Sequence, residues 1–175
     1  MLSEIVNEIN STLKPLFNGG NIYGLAQSII KNNQVIPALV DNNGEGKYIG
    51  IDNTLPFIVY HKNNSISATD VPGQGDELNI KNTYSNVLII YLNRKKTKIL
   101  PDELFLNIQA NPFRYKIQPF KNIVIRVQNV ILNSQQVWQS EYLGSDYEIT
   151  PDSNLLAINY TIESTFKRGC FDTCS

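Results

Sequence analysis

His61 is the one imidazole in a chain of 175 residues, so any general base or metal centre that uses histidine would have to be built around it. It follows the apolar run Phe57-Ile58-Val59-Tyr60, and neither a Gly-X-Ser-X-Gly elbow nor a Cys-rich signature accompanies it. A lone His closing a strand is more often structural than catalytic. Asp102 and Glu103 are adjacent carboxylates, yet a helix start at Pro101 accounts for both, because acids there complement the positive end of the helix dipole. Cys170 and Cys174 are spaced CxxxC in a C-terminal tail, residues 167–175, and a four-ligand zinc site would need a second pair or more imidazole than the chain holds. Free thiols are the simplest reading, with a disulfide or a metal shared between subunits as alternatives. Gly73-Gln74-Gly75 is a lone GxG outside any strand-to-helix turn, which leaves phosphate cradling unsupported. These residues predict no enzyme, no cofactor and no metal.

Arg94, Lys95, Lys96 and Lys98 are the one concentrated positive feature, at a hairpin-like connection. The bland reading is a solvated turn. The functional one is a charged contact with an acidic partner surface or with DNA passing nearby, of modest affinity because so few phosphates could be neutralised. No interleaved aromatics suggest a base-stacking platform. Over the whole chain 15 basic residues meet 16 acidic ones for a net charge of −1, which excludes a chain built mainly to coat nucleic acid. Only 18% of residues are charged while 42% are hydrophobic, and the balance is rich in Asn, Gln, Ser and Thr: a surface that is polar without being ionic. No apolar run approaches the ~20 residues of a membrane span. The first residues carry two acids and no basic block ahead of an apolar one, so neither a membrane segment nor a secretory signal is expected.

The elements that must position these residues are those of one α+β domain, residues 1–175, long enough to bury roughly 70% of its unfolded surface. Leu2, Ile5, Val6, Ile9, Leu13, Leu16 and Phe17 are spaced as one stripe of an amphipathic helix, ended by Pro15 and Asn18-Gly19-Gly20. Residues 25–30 and 35–40 read as a hairpin about Lys31-Asn32-Asn33-Gln34, with Pro37 marking an edge or a bulge. Short strands follow at 47–51 and 56–61. Residues 62–76, poor in apolar side chains and ending in Pro72-Gly73-Gln74-Gly75-Asp76, are expected to form a long exposed loop; loops beyond about 12 residues are usually functional or disordered. Thr83 to Leu92 is the strongest strand, and Pro101 to Gln109 a short helix. Ile123 to Leu132 reads as a half-buried strand, Gln135 to Tyr142 as a helical turn with Val137, Trp138 and Tyr142 inward, and Leu155 to Phe166 as a long late strand.

That element order, with the stretch from Asn122 through Trp138 to Tyr142 and the closing Ile158-Asn159-Tyr160-Thr161-Ile162-Glu163-Ser164-Thr165-Phe166, resembles the tail-terminator and neck-ring (head-to-tail connector) proteins of tailed bacteriophages. The Asn, Ile and Lys usage and the Cys-containing end are similar to structural proteins of crAss-like phages of Bacteroidales. The resemblance spans most of the chain and carries no catalytic residues. It implies an antiparallel sheet with the N-terminal helix and a short second helix on one face, and a virion protein, assembled in the host cytoplasm, whose copies close into a ring of about six or twelve. The implied partners are copies of itself, neighbouring neck or tail rings and, non-specifically, DNA in the channel. The candidate interface residues are then Arg94, Lys95, Lys96 and Lys98 in the basic turn, with Asn63, Asn64 and Gln74 in the expected loop. Light charge suits such packing, because like charges repeat at every interface between identical copies. The competing class is a monomeric binding module, carbohydrate-binding or adhesin-like, using exposed Tyr and Asn.

Overall fold

The computed structural model describes residues 2–40, 45–73, 78–110 and 123–167. Helix α1 (Leu2–Leu13) continues into a 3-10 turn over Lys14–Phe17, and its stripe of Ile5, Val6, Ile9, Leu13 and Phe17 is buried as the spacing predicts. Strand β1 (Asn21–Lys31) starts at once because Gly19 adopts φ +79 and Gly20 lies against Phe57, where a Cβ would stand 2.6 Å from that of Phe57. β1 pairs with β2 (Gln34–Val40) through a two-residue turn whose Asn32 and Asn33 have φ of 52 and 62, the left-handed pair that matches the twist of a tight hairpin. Strand β3 (Gly46–Tyr48) is shorter than expected and meets only Ala38 to Val40 of β2, so Pro37 sits at the thinly paired margin where its missing N–H costs least.

Strands β4 (Phe57–Pro72) and β5 (Leu78–Asn93) form one long antiparallel hairpin. The expected loop at 62–76 is therefore corrected: residues 62–72 are strand. Ser65-Ile66-Ser67-Ala68-Thr69 lacks apolar bulk but alternates small polar with aliphatic residues, and it is paired residue for residue with β5 from Ser65↔Ser85 to Pro72↔Leu78. Helix α2 (Pro101–Ala110), strand β6 (Ile123–Ile131), helix α3 (Ser134–Glu141) and strand β7 (Ser153–Lys167) complete the order. Asn133 caps α3, its side chain accepting from the Gln136 N–H at 3.1 Å.

The seven strands make one sheet, β3-β2-β1-β4-β5-β7-β6. The sheet is mixed rather than wholly antiparallel, since β1 runs parallel to β4. One face carries α1, α2 and Phe57, Val59, Leu88, Ile90, Leu156, Ile158 and Ile162, which places both expected helices on the same side. The other face is not bare: α3 and the segments around Ile49 and Tyr142 cover Ile58, Tyr60, Ile89, Tyr91 and Leu155. Val137 and Tyr142 are buried there as the sequence predicts. Among the described residues no helix is long and apolar enough to cross a membrane.

Candidate functional site

The β4–β5 hairpin is the longest feature of the fold, and its two halves differ. From Phe57 to Lys62, β4 lies between β5 and β1, paired from Asn21↔Ile58 to Ala26↔Lys62 with one register shift between Ile22 and Leu25. Past Lys62, β1 leaves for its hairpin with β2, and among the described residues β4 from 63 to 72 pairs with β5 alone. Residues 64–70 are all exposed, and Ile66 presents 61% of its surface. On the far side of the sheet β6 pairs only with β7, again among the described residues, leaving Val124 at 43% exposure and Arg126 pointing outward. Among the described residues the four strands β4, β5, β7 and β6 thus form an arm with an open edge on each side.

Each open edge is regular over a limited stretch. A bulge between Asn63 and Ser65 starts the free part of β4, and a bulge between Val127 and Asn129 ends the first part of β6. Asn63 holds the former, its Nδ2 donating to Asn86 Oδ1 at 3.0 Å and to the carbonyls of Ser65 and Ser85 at 3.3 and 3.4 Å. Between the bulges and the ends lie residues 65–71 of β4 and 123–127 of β6. Proteins that stay monomeric guard such edges with lysines, inward charges or a covering element. Here Asp70 and Arg126 are the only charges in those two stretches.

The base of the arm is fixed from both faces. On the α1 face His61 is fully buried; its Nε2 lies 2.8 Å from Asn10 Oδ1 and its Nδ1 2.7 Å from the Tyr160 hydroxyl. Asn10 Nδ2 donates to the Tyr23 carbonyl, so Oδ1 faces the ring as an acceptor, and the neutral Nε2–H tautomer satisfies both contacts. Burial lowers the His61 pKa from 6.5 to about 3. On the α3 face Lys62 Nζ reaches both Glu141 oxygens at 2.9 Å, while the Tyr60 hydroxyl donates to Oε2 at 3.2 Å and Ser140 Oγ to Oε1 at 3.1 Å. Desolvation holds the Tyr60 hydroxyl well above its ordinary range. This carboxylate is fully occupied, which suits a strut more than an acid or a base. It lines a cavity of about 290 Å³ together with Asn64, Gln136 and Asn159.

The sequence-predicted site residues are not brought together. Asn63 is a bulge brace and Asn64 is exposed beside it, while Gln74, Cys170 and Cys174 lie outside the described residues. The basic turn stands at the opposite end of β5 from the arm tip, a strand of 16 residues, or roughly 50 Å at the usual rise. Arg94 binds its own chain there, N–H to Asp152 O at 2.8 Å and Nη2 to Pro151 O at 3.1 Å, and Lys95 pairs with Asp152 at 2.8 Å. Lys96 and Lys98 are exposed, with no ion pair among the described residues. Asp102 and Glu103 occupy the first turn of α2, as the dipole reading requires. Sequence reasoning missed Ile66, Val124 and Arg126; the alternation in 65–71 was the available signal. Among the described residues no cluster of three or more His, Cys, Asp or Glu could hold a metal. No protein-family model matches the chain, and comparison with curated proteins returns no significant match.

Proposed function

We propose that this chain is a structural protein of the virion of a tailed phage, a ring of identical copies in the neck or tail that joins the portal side of the capsid to the tail. The observation that carries this reading is the pair of open, lightly charged edges on opposite sides of one four-stranded arm. A chain with two different adhesive edges adds copies head to tail, and such contacts close into rings when the rotation between copies permits. The buried His61 and the fully paired Glu141 serve to hold the arm, so their chemistry fits support rather than turnover. In this reading Lys96 and Lys98, in the turn that follows β5, meet a neighbouring ring or the DNA channel.

A monomeric glycan-binding module is the competing reading, and the cavity beside Lys62 and Glu141, with its Asn64, Gln136 and Asn159 rim, is the observation in its favour. Native mass spectrometry with negative-stain microscopy separates the two. The ring reading predicts a closed oligomer at micromolar concentration or on addition of the adjoining tail components. A chain that stays monomeric in both conditions and binds glycans overturns it.

A further inference from the structure

We infer that neighbouring copies join by continuing the sheet, with residues 66–70, in the free stretch of β4 on one copy, pairing antiparallel with residues 123–127 of β6 on the next. This deepens the ring reading and rests on it. Strand direction carries the argument first. β4, β5, β7 and β6 alternate in direction across the arm, so β4 and β6 of one copy run opposite ways. A second copy related by rotation about an axis along the strands therefore presents its β6 antiparallel to the first copy's β4. That is the more stable ladder, and it needs no connection between the strands.

Side-chain parity then selects the register. Ile66, Ala68 and Asp70 are in register with Tyr84, Asn82 and Ile80 on the α1 face of the sheet, and Ile123, Ile125 and Val127 pack on that same face. A one-residue slip would send each set to the wrong side. The register that uses all five residues of β6 before its bulge sets Ile66 opposite Val127, Ser67 opposite Arg126, Ala68 opposite Ile125, Thr69 opposite Val124 and Asp70 opposite Ile123. It covers the exposed Ile66 and Val124 with cross-strand neighbours. Both bulges fall at the same end of this contact, beside Ile66 on one copy and Val127 on the next, so neither interrupts the five paired residues of each strand. An alternative contact between two β4 edges would be isologous, would close at a dimer and would leave β6 open.

The test places Ser67→Cys and Arg126→Cys in a Cys170→Ser, Cys174→Ser chain and treats the assembled protein with a short bismaleimide. The double variant should give a covalent ladder up to the size of the ring. An equal mixture of the two single variants should give dimers and nothing larger, and each single variant alone should give none. Dimers from Ser67→Cys alone would overturn the inference in favour of β4–β4 pairing. An intact ring with no cross-link would overturn it while leaving the ring reading standing, and a chain that is monomeric throughout would overturn both. As a second measure, Ile66→Lys and Val124→Lys should each raise the apparent dissociation constant of the assembly at least tenfold while the monomer keeps its circular dichroism spectrum and melting temperature. Unchanged assembly in both variants would contradict the pairing.

Discussion

The inner and outer halves of the β4–β5 hairpin are made by the same two strands in different company. Residues 57–62 have β1 beside them, α1 above and α3 below, and their side chains enter two hydrophobic clusters. Residues 65–71 have β5 beside them and, among the described residues, an open edge on the other side, with every side chain from Ser65 to Asp70 exposed. The inner half is held by the chain's own core, whereas the outer half is regular but, among the described residues, paired on one side alone. Continuous strand structure thus does not mean uniform stability.

Changes at the inner half should cost most. His61 sits buried and neutral there with a pKa of about 3 against 6.5 when exposed, so the unfolded chain binds a proton that the folded chain refuses between those values. Stability is then full above about pH 6.5 and is lost as the pH falls toward 3, by an amount on the order of 5 kcal/mol if the site holds. His61→Gln, which can donate to Asn10 and accept from Tyr160, should flatten this acid limb in urea titrations at successive pH values. An unchanged limb would remove His61 as its cause.

Ile90→Ala opens a cavity in the α1-side cluster, where Ile90 is fully buried, and should lower the unfolding free energy by about 3 to 4 kcal/mol. Lys62→Met leaves the buried Glu141 carboxylate without its cation and should cost about 3 kcal/mol, whereas Glu141→Gln keeps hydrogen-bonding groups and should cost roughly half as much. Little loss in either variant would mean that the Lys62 stem, which both variants largely retain, and not the ion pair braces the base of the arm.

The pattern of legible and illegible parts follows the same division. The stripe of α1, the Asn32-Asn33 turn, the inward Val137 and Tyr142 and the long strands β5 and β7 were all readable, because burial leaves a periodic apolar record in the sequence. The outer half of β4 reads as loop because exposed residues leave no such record; only the β-branched residues Ile66, Thr69 and Val71 hint at a strand. The parallel β1–β4 contact could not be read either, since it depends on Gly20 meeting Phe57 across a long separation in the chain. The basic turn stands out by charge alone, yet Arg94 and Lys95 spend theirs on the Pro151–Asp152 corner.

Changes at the outer half should scarcely touch the monomer. Ile66→Lys and Ser67→Ala alter exposed side chains and should shift monomer stability by no more than about 0.5 kcal/mol, checked by chemical denaturation of dilute protein. Smallest of all, Lys96→Ser with Lys98→Ser should leave both melting temperature and copy number unchanged and weaken only the docking of a neighbouring ring, seen as a reduced pull-down of tail components.

Amide hydrogen exchange, followed on dilute monomer and on the assembled protein, tests the central claim most directly. In the monomer the amides of residues 57–62 should exchange slowly, while those of 65–71 and 123–127 that face the open edges should exchange fast and become protected on assembly. Edge amides already as slow in the monomer as those of the inner half, or unprotected in the assembly, would contradict the division of the hairpin into a core-held base and an arm completed by the next copy.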